Sequence, residues 1–514
     1  MVTTDPETTT LEQLRSHLSR FNLTWMLRCL GQLSALVEGK TGTSIEGVAV
    51  AAYCLPYLAL VAIEVSSDDV VTIPSHADLA EAARIFNGMT EPRINGGSDP
   101  WIFEYLIRMG CLQFAGTQDL HNATARTWML YHELWPKVPK AAGFHPAKAL
   151  HDLTGLSLRQ LVALGYAYSV LARPGYFVPY PEDALKKLPT TLGVRPEEQQ
   201  RFLDWMTGTY DEIRKLGARE VPHAAYDKYR LSPFLVKPVV RPDRPPEAGA
   251  EAVLLVPSPR YLARRVTDGV YHTLATASAA HGVVNPFREA FGHVFQEYVG
   301  ELLRAGSGKA KVLREREYGR KHEQRRTPDW LVLDGERLVV IEVKQSALTL
   351  DSKTLGAIDD VVRDLRKTLA AGTRQLLKFR DDLQAKAAGL EDLHGVTDVE
   401  LLVVTHDQVP FANWLLRDLI AGDGIKDATD VHLCSIDDFE NLQRYCWGTS
   451  LHGHLRSKRS DFRQSHAKDF REWLSEIGSP GQGHLLLKSV FADLALSWGT
   501  SSSVQTGARA GATA

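Results

Sequence analysis

Apolar positions in the first 228 residues recur mostly at helical spacing. The clearest stretches are Leu11–Leu36, Asp78–Phe86, Ala123–Leu134 and Leu158–Leu171, and strand-like alternation is scarce. This pattern predicts a helical region over residues 11–236. Gly47–Ile63 is apolar and uncharged, but it falls short of the roughly 20 residues of a membrane span and contains Pro56, so it predicts a buried helix. Lys237–Ala250 carries four prolines and predicts a linker. Val253–Val256 is then a short apolar run, and Arg260–Ala280 reads as a helix.

The pattern changes at Asn285. Phe287, Phe291, Val294, Phe295, Tyr298, Val299 and Leu302 mark one face of an amphipathic helix. Strand-like runs follow at Lys311–Tyr318, Thr327–Leu333 and Arg337–Lys344, then a long helix at Ser352–Ala388. Next come a strand at Val399–Thr405, a helix at Phe411–Ala421, a strand at Asp430–Ser435 and a helix from Ile436. Alternating strands and helices predict an α/β domain over residues 251–450, with a central mixed sheet flanked by helices. Helices at Gln464–Ile477 and Gly483–Leu496 predict a helical extension over 451–498. Residues 1–10 and 499–514 are small and polar and are expected to be disordered tails.

Composition narrows the functional classes. The 514 residues fit roughly three domains at about 150 residues each. With 44% hydrophobic and 24% charged residues, the chain is neither disordered, collagenous nor a coiled coil. The net charge of −3 excludes a protein that coats itself in nucleic acid through bulk charge, so any polyanion site has to be a local patch. Two such patches are visible. Lys309–Arg326 holds eight basic and three acidic residues, and Arg456–Lys468 holds five and one. The five cysteines (Cys29, Cys54, Cys111, Cys434, Cys446) form no C-x-x-C pair and read as reduced thiols of a cytoplasmic protein. Cys446, His452 and His454 are too irregularly spaced to predict zinc. The N-terminus lacks the features of a signal peptide. No Walker spacing is present, so powered movement along DNA would need a partner ATPase in trans. Trp101, His121, Tyr166, Tyr168, Tyr176 and Tyr180 read as packing residues.

The chemistry is concentrated in Thr327–Gln345, TPDWLVLDGERLVVIEVKQ. Asp334-Gly335 between two apolar runs predicts a hairpin with a two-residue type I′ turn. With Leu333 opposite Glu336, Asp329 falls opposite Val340, and Glu342 is its diagonal neighbour at about 7–8 Å. Lys344 follows Glu342 on that face because side chains alternate with period two. Leu331, Val332, Leu338, Val339, Ile341 and Val343 make the rest of the hairpin apolar, as in a strand pair covered on both sides. Two carboxylates and an ammonium emerging from such a setting suit Mg2+, which prefers oxygen ligands, with Mn2+ as a substitute. Lysine beside the metal would orient or deprotonate an attacking water and balance phosphate charge, which is a site for phosphodiester hydrolysis. The alternative is a strand end whose Glu and Lys simply pair.

Pro328-Asp329, twelve residues, then Glu342-Val343-Lys344 resembles the PD-(D/E)XK (restriction-endonuclease-like) nuclease superfamily. The order helix, three antiparallel strands, helix, strand is similar over about Asn285–Ser435. The resemblance implies that Asp329, Glu342 and the Val343 carbonyl bind Mg2+, that Lys344 is the catalytic lysine and that Gln345 helps position the site. The family often places an acid in the preceding helix, in a phrase like Phe-Glu-x-Tyr-Val. Here the residues are Phe295-Gln296-Glu297-Tyr298-Val299, one position out of step, and Glu297 is favoured over Gln296. Gln375, four residues before Phe379, resembles the Gln-x-x-x-Tyr element of RecB-type nucleases with Phe in place of Tyr. Arg314, Arg316, Arg320, Lys321, Arg325, Arg326 and Gln375 are the expected nucleic-acid contacts. The function implied is a Mg2+-dependent nuclease hydrolysing phosphodiester bonds in DNA, in bacterial antiviral defence, restriction or DNA processing, cutting either within strands or from their ends. Two alternatives are a catalytically inactive nuclease-fold subunit for binding or assembly, and an RNA-cleaving effector. The expected partners are DNA, with RNA as the alternative, together with a partner protein or a second copy of the chain and no membrane.

Overall fold

The computed structural model describes residues 10–37, 43–89, 110, 119–172, 176–177, 192–218, 224–243, 254–279, 285–345, 348–349, 352, 358–409, 413, 430–446, 450–460, 468–478 and 483–507. Trp101, Cys111, Tyr180, residues 1–9 and nearly all of the helix expected at Phe411–Ala421 lie outside these residues.

The first core is helical. Where one helix was expected over Leu11–Leu36 there are two, α1 (Leu11–Leu18) and α2 (Leu23–Val37). Asn22 makes the break. Its side-chain oxygen accepts from the Trp25 N–H, and its amide donates to the carbonyls of Asp68 and Val70. The hairpin β1 (Ser44–Ile45) and β2 (Val48–Ala49) leads to α3 (Cys54–Val65), in which every side chain from Cys54 to Ile63 is buried. Pro56 falls in the first turn, where a missing N–H breaks no helical bond. Helix α4 (His76–Gly88) starts on a capping box between Ser75 and Asp78. Leu14, Leu27, Leu58, Phe86 and Ile213 belong to one hydrophobic cluster.

A second core joins distant parts of the chain. Its helices are α5 (Leu120–Trp128, running on as a π-helical turn to Leu134), α6 (Pro146–Thr154), α7 (Leu158–Leu171) and α8 (Pro196–Met206). Helix α9 (Tyr210–Gly217) belongs to the first core. The linker expected at 237–250 begins as a strand. In a four-stranded sheet, β5 (Val239–Arg241) runs parallel to β4 (Thr207–Thr209) and antiparallel to β6 (Leu254–Leu255), and β6 also pairs β3 (Tyr176–Phe177). Val239 and Val240 are fully buried, which outweighs the prolines on either side of the strand. The helix expected at Arg260–Ala280 is divided at Thr267 into α10 (Pro259–Val266) and α11 (Asp268–Ala277).

The α/β region opens with α12 (Pro286–Gly306), capped by Asn285 and buried along the predicted face. Its sheet is mixed, in the order β13 (Val431–Ser435), β12 (Asp398–Thr405), β11 (Arg337–Lys344), β10 (Trp330–Asp334), β7 (Lys311–Arg314). Strands β7, β10 and β11 are antiparallel, while β12 and β13 run parallel to β11. The strand expected over Lys311–Tyr318 ends early. Glu317–Tyr318 (β8) pairs instead with Arg325–Arg326 (β9) in a ladder of its own. Pro328 has no N–H to give, and Thr327 N–H donates to Arg316 O in a shifted register.

The crossing from β11 to β12 uses α13 (Ile358–Leu365), a π-helical stretch Arg366–Ala370 and α14 (Ala371–Gln384). It ends before Ala388, where Lys386 and Gly389 take positive φ (52° and 83°). These helices cover the face formed by Leu313, Leu331, Val340, Leu401 and Val403. The other face, with Ile341, Leu402 and Val404, packs on α12 and α15 (Ile436–Tyr445). The C-terminal helices are α16 (Leu451–Ser460), α17 (Phe470–Ile477) and α18 (Leu485–Gly507). Helix α18 extends into the expected tail at 499–514, since no proline stops it and extending a formed helix is cheap. No described helix is long and apolar enough to cross a membrane.

Candidate functional site

The β10–β11 hairpin turns one residue later than expected. Asp334 pairs with Arg337 and Leu333 with Leu338, so Gly335-Glu336 forms the turn. Of the two, only Gly335 takes a positive φ (63°), as a turn with glycine in its first central position requires. The pairing therefore moves by two. Trp330 faces Ile341, and one step on, Asp329 comes opposite Glu342 rather than Val340. A shift of two keeps every side chain on its predicted face.

Asp329 and Glu342 thus lie on the face covered by α13 and α14. Asp329 Oδ2 accepts from the Val343 N–H at 2.7 Å. Glu342 is nearly inaccessible (4%), and its Oε1 lies 2.7 Å from Lys344 Nζ. Gly372 of α14 makes this possible, because a Cβ there would come 3.1 Å from Lys344 Cε and 3.5 Å from Glu342 Cγ. Glu342 Oε2 is buried with no hydrogen-bond partner among the described residues. Burial first, and then the neighbouring Glu342 charge, push the Asp329 carboxyl up to about 8 against the pull of the Val343 N–H and Lys344. Burial likewise raises Glu342, against the pull of Lys344. The buried Glu342 and the half-buried Asp329 share one ammonium, which leaves the group short of positive charge.

Gln345 lies against Gly292 of α12, where a Cβ would come 3.5 Å from its Oε1, and that oxygen is buried with no hydrogen-bond partner among the described residues. Glu297 is not brought to the carboxylates. Its oxygens are taken by Arg304 and Arg314, whose guanidinium groups lie over the Trp330 ring on the opposite face of the sheet. Gln296 supplies its backbone carbonyl to Trp330 Nε1 at 2.9 Å.

Most of the basic residues expected to meet nucleic acid have acidic partners. Besides Arg314, Arg316 pairs with Asp392, and Arg325 with Asp382 at 2.7 Å. Arg326 lies 3.6 Å from Glu315. Arg320, Lys321 and Gln375 are exposed. The described residues of the second basic stretch are partnered as well. Arg456 pairs with Asp398 and Arg459 with Glu400, while the buried Lys458 donates to the Lys468 carbonyl.

A cluster that sequence spacing did not reveal joins Asp398 and Glu400 of β12 to His452 of α16. It sits at the other end of β12 from the partners of Glu342 and Lys344, on the face packed by α12. The cluster could hold a metal ion: Arg456 and Arg459 pair with its two carboxylates, but Arg456 is 54% exposed, and Glu400 Oε2 is buried with no hydrogen-bond partner among the described residues. Cys446 and His454 do not join it. The Cys446 thiol donates to Leu442 O, and the His454 ring contacts Tyr445 O. Tyr166 and His121 bond to each other at 3.0 Å beside Phe491, and Tyr168 stacks on Phe202, so these aromatics pack as expected. Gly372 and Gly292 were missed, since nothing in a single sequence marks a helix glycine as one that meets a charged or polar side chain of a neighbouring strand. Comparisons with protein-family models, curated proteins and solved structures give no match for this chain.

Proposed function

We propose that the chain is a Mg2+- or Mn2+-dependent nuclease of the PD-(D/E)XK type that hydrolyses DNA phosphodiester bonds. The observation that carries this reading is the buried, unpartnered Glu342 Oε2 beside Asp329 and Lys344. The donor set fits the ion, because hard carboxylate oxygens with raised proton affinity and too little neighbouring positive charge are what a divalent cation relieves. Asp329, Glu342 and the Val343 carbonyl would hold it. Once bound, the cation supplies Lewis-acid stabilisation of charge developing on the phosphodiester. Val343 N–H keeps Asp329 in place, and Glu342 and Gly372 hold Lys344 where its ammonium can meet a phosphate or exchange a proton with water. Gln345, with a free side-chain oxygen, can orient a donor at the α12 side. The order of α12, three antiparallel strands, α13–α14 and a parallel β12 supports the superfamily resemblance. A place in anti-phage defence or restriction rests on that resemblance alone.

The test is cleavage of plasmid, single-stranded DNA and labelled RNA with Mg2+ or Mn2+. Metal-dependent DNA cleavage that is lost in Lys344→Ala is expected, and equal background in both proteins would overturn the reading. Preferential cutting of RNA would move the substrate to the alternative backbone. A second reading, DNA binding without cleavage, is favoured by one observation: the helix acid Glu297 is engaged by two arginines. DNA binding with no calorimetric uptake of Mn2+ would decide for it.

A further inference from the structure

We propose that Glu315, at the end of edge strand β7, is the third carboxylate of the cation site and takes the place expected for Glu297. This rests on the nuclease reading above. Trp330 is paired on one side with Arg314 of β7 and on the other with Ile341 of β11. One position further, the Glu315 N–H still donates to the Asp329 carbonyl at 3.0 Å, so the β7–β10 ladder holds its register there. Glu315, Asp329 and Glu342 therefore form one rung across three adjacent strands. Residues opposite each other in antiparallel strands share a face, and the neighbouring rung on that face, Leu313, Leu331 and Val340, lies in the core under α13 and α14. Adjacent strands are about 4.8 Å apart, so glutamates on either side of an aspartate can reach a common ion.

Charge and accessibility agree with the geometry. Glu315 is near enough to both Asp329 and Glu342 to act on them electrostatically. Three carboxylates less the Lys344 ammonium leave two negative charges, which one divalent cation closes. Arg326, the nearest basic partner of Glu315, is 3.6 Å away and 61% exposed, so water screens it. The rung opens outward, with side-chain exposure rising from 5% at Glu342 to 31% at Glu315. Glu315 would then guard the side from which a phosphate backbone approaches. Glu342 Oε2, buried and unpartnered, marks the inner end of the same row.

The experiment is calorimetric titration of the full chain with Mn2+, comparing wild type with Glu315→Gln, Glu297→Gln and Asp329→Asn, and with melting curves in EDTA as the check on folding. Wild type is expected to bind and Asp329→Asn to lose binding. Glu315→Gln should weaken binding by no less than the ~10-fold that loss of an outer-shell partner costs, while Glu297→Gln should bind as wild type. Wild-type affinity in Glu315→Gln, with binding lost in Asp329→Asn, would overturn the role of Glu315 and leave the nuclease reading standing. Absent binding in wild type, or full binding in Asp329→Asn, would remove the nuclease reading and this inference with it. If Glu315→Gln melts early, Glu315→Asp carries the same comparison, because it keeps the charge and shortens the reach.

Discussion

Lys344 Nζ and Glu342 Oε1 are 2.7 Å apart beneath a glycine, Gly372, that leaves them just enough room. Alanine at 372 would place a methyl 3.1 Å from Lys344 Cε, and the long side chain is free to yield. Alanine also favours the helix by up to about 1 kcal/mol over glycine. Gly372→Ala is therefore expected to melt at or above the wild-type temperature and to cleave on the order of 10-fold more slowly, because the lysine is moved by a fraction of an ångström. Melting curves and single-turnover rates check both halves. A wild-type rate would show that the placement of Lys344 is not critical.

The carboxylate pair links stability to pH. Asp329 and Glu342 both hold protons more tightly folded than unfolded, so the folded state binds the extra protons between the ordinary carboxylate range and about pH 8. In EDTA, stability contributed by this pair is present at low pH and is lost as pH rises through that window. Asp329→Asn removes the penalty while its side-chain oxygen can still accept from the Val343 N–H. Its melting temperature should exceed that of wild type by roughly 2–4 °C at about pH 8, with the gap narrowing towards about pH 5. Adding Mn2+ should raise wild type and leave the variant unmoved. A gap independent of pH would argue that the penalty lies elsewhere.

Arg126 of α5 is buried (2%) between Asp437 and Glu440 of α15, at 2.6 and 2.8 Å, and Asp268 of α11 at 3.3 Å. Tyr298 of α12 donates to the same Glu440 at 2.6 Å. Even so, burial pushes Glu440 up to about 7. Arg126→Met would leave these acids without their counter-charge and is expected to cost about 3–5 kcal/mol. Urea denaturation measures this. A loss below about 1 kcal/mol would mean that the acids take up protons and the network is not needed.

How far the site was legible depends on what kind of information each residue carries. The face shared by Asp329, Glu342 and Lys344 survived a misplaced turn, because moving a two-residue turn by one position moves the pairing by two and period two is preserved. Helical spacing puts Glu297 on the flank of the buried stripe but does not say which flank meets the hairpin. Arg304 and Arg314 decided that. Part of each basic run is balanced by partners that come from distant parts of the chain, Asp382 and Asp392 for the first, Asp398 and Glu400 for the second. Glu315 sat unnoticed in a basic stretch, where it read as a counter-charge rather than as a neighbour of Asp329.

The second core has a consequence for how the two halves of the chain communicate. Tyr131 and Trp135, from before the proline-rich stretch, stack on Phe287 of α12, and Tyr271 lies 4.8 Å from Phe291. A fragment beginning at residue 251 would carry that aromatic face into water and would be prone to aggregate. The helices of residues 120–206 are thus a wall of the α/β half. A change in the packing of those helices would reach the hairpin as a shift of packed side chains along α12, not as the swing of a separate arm.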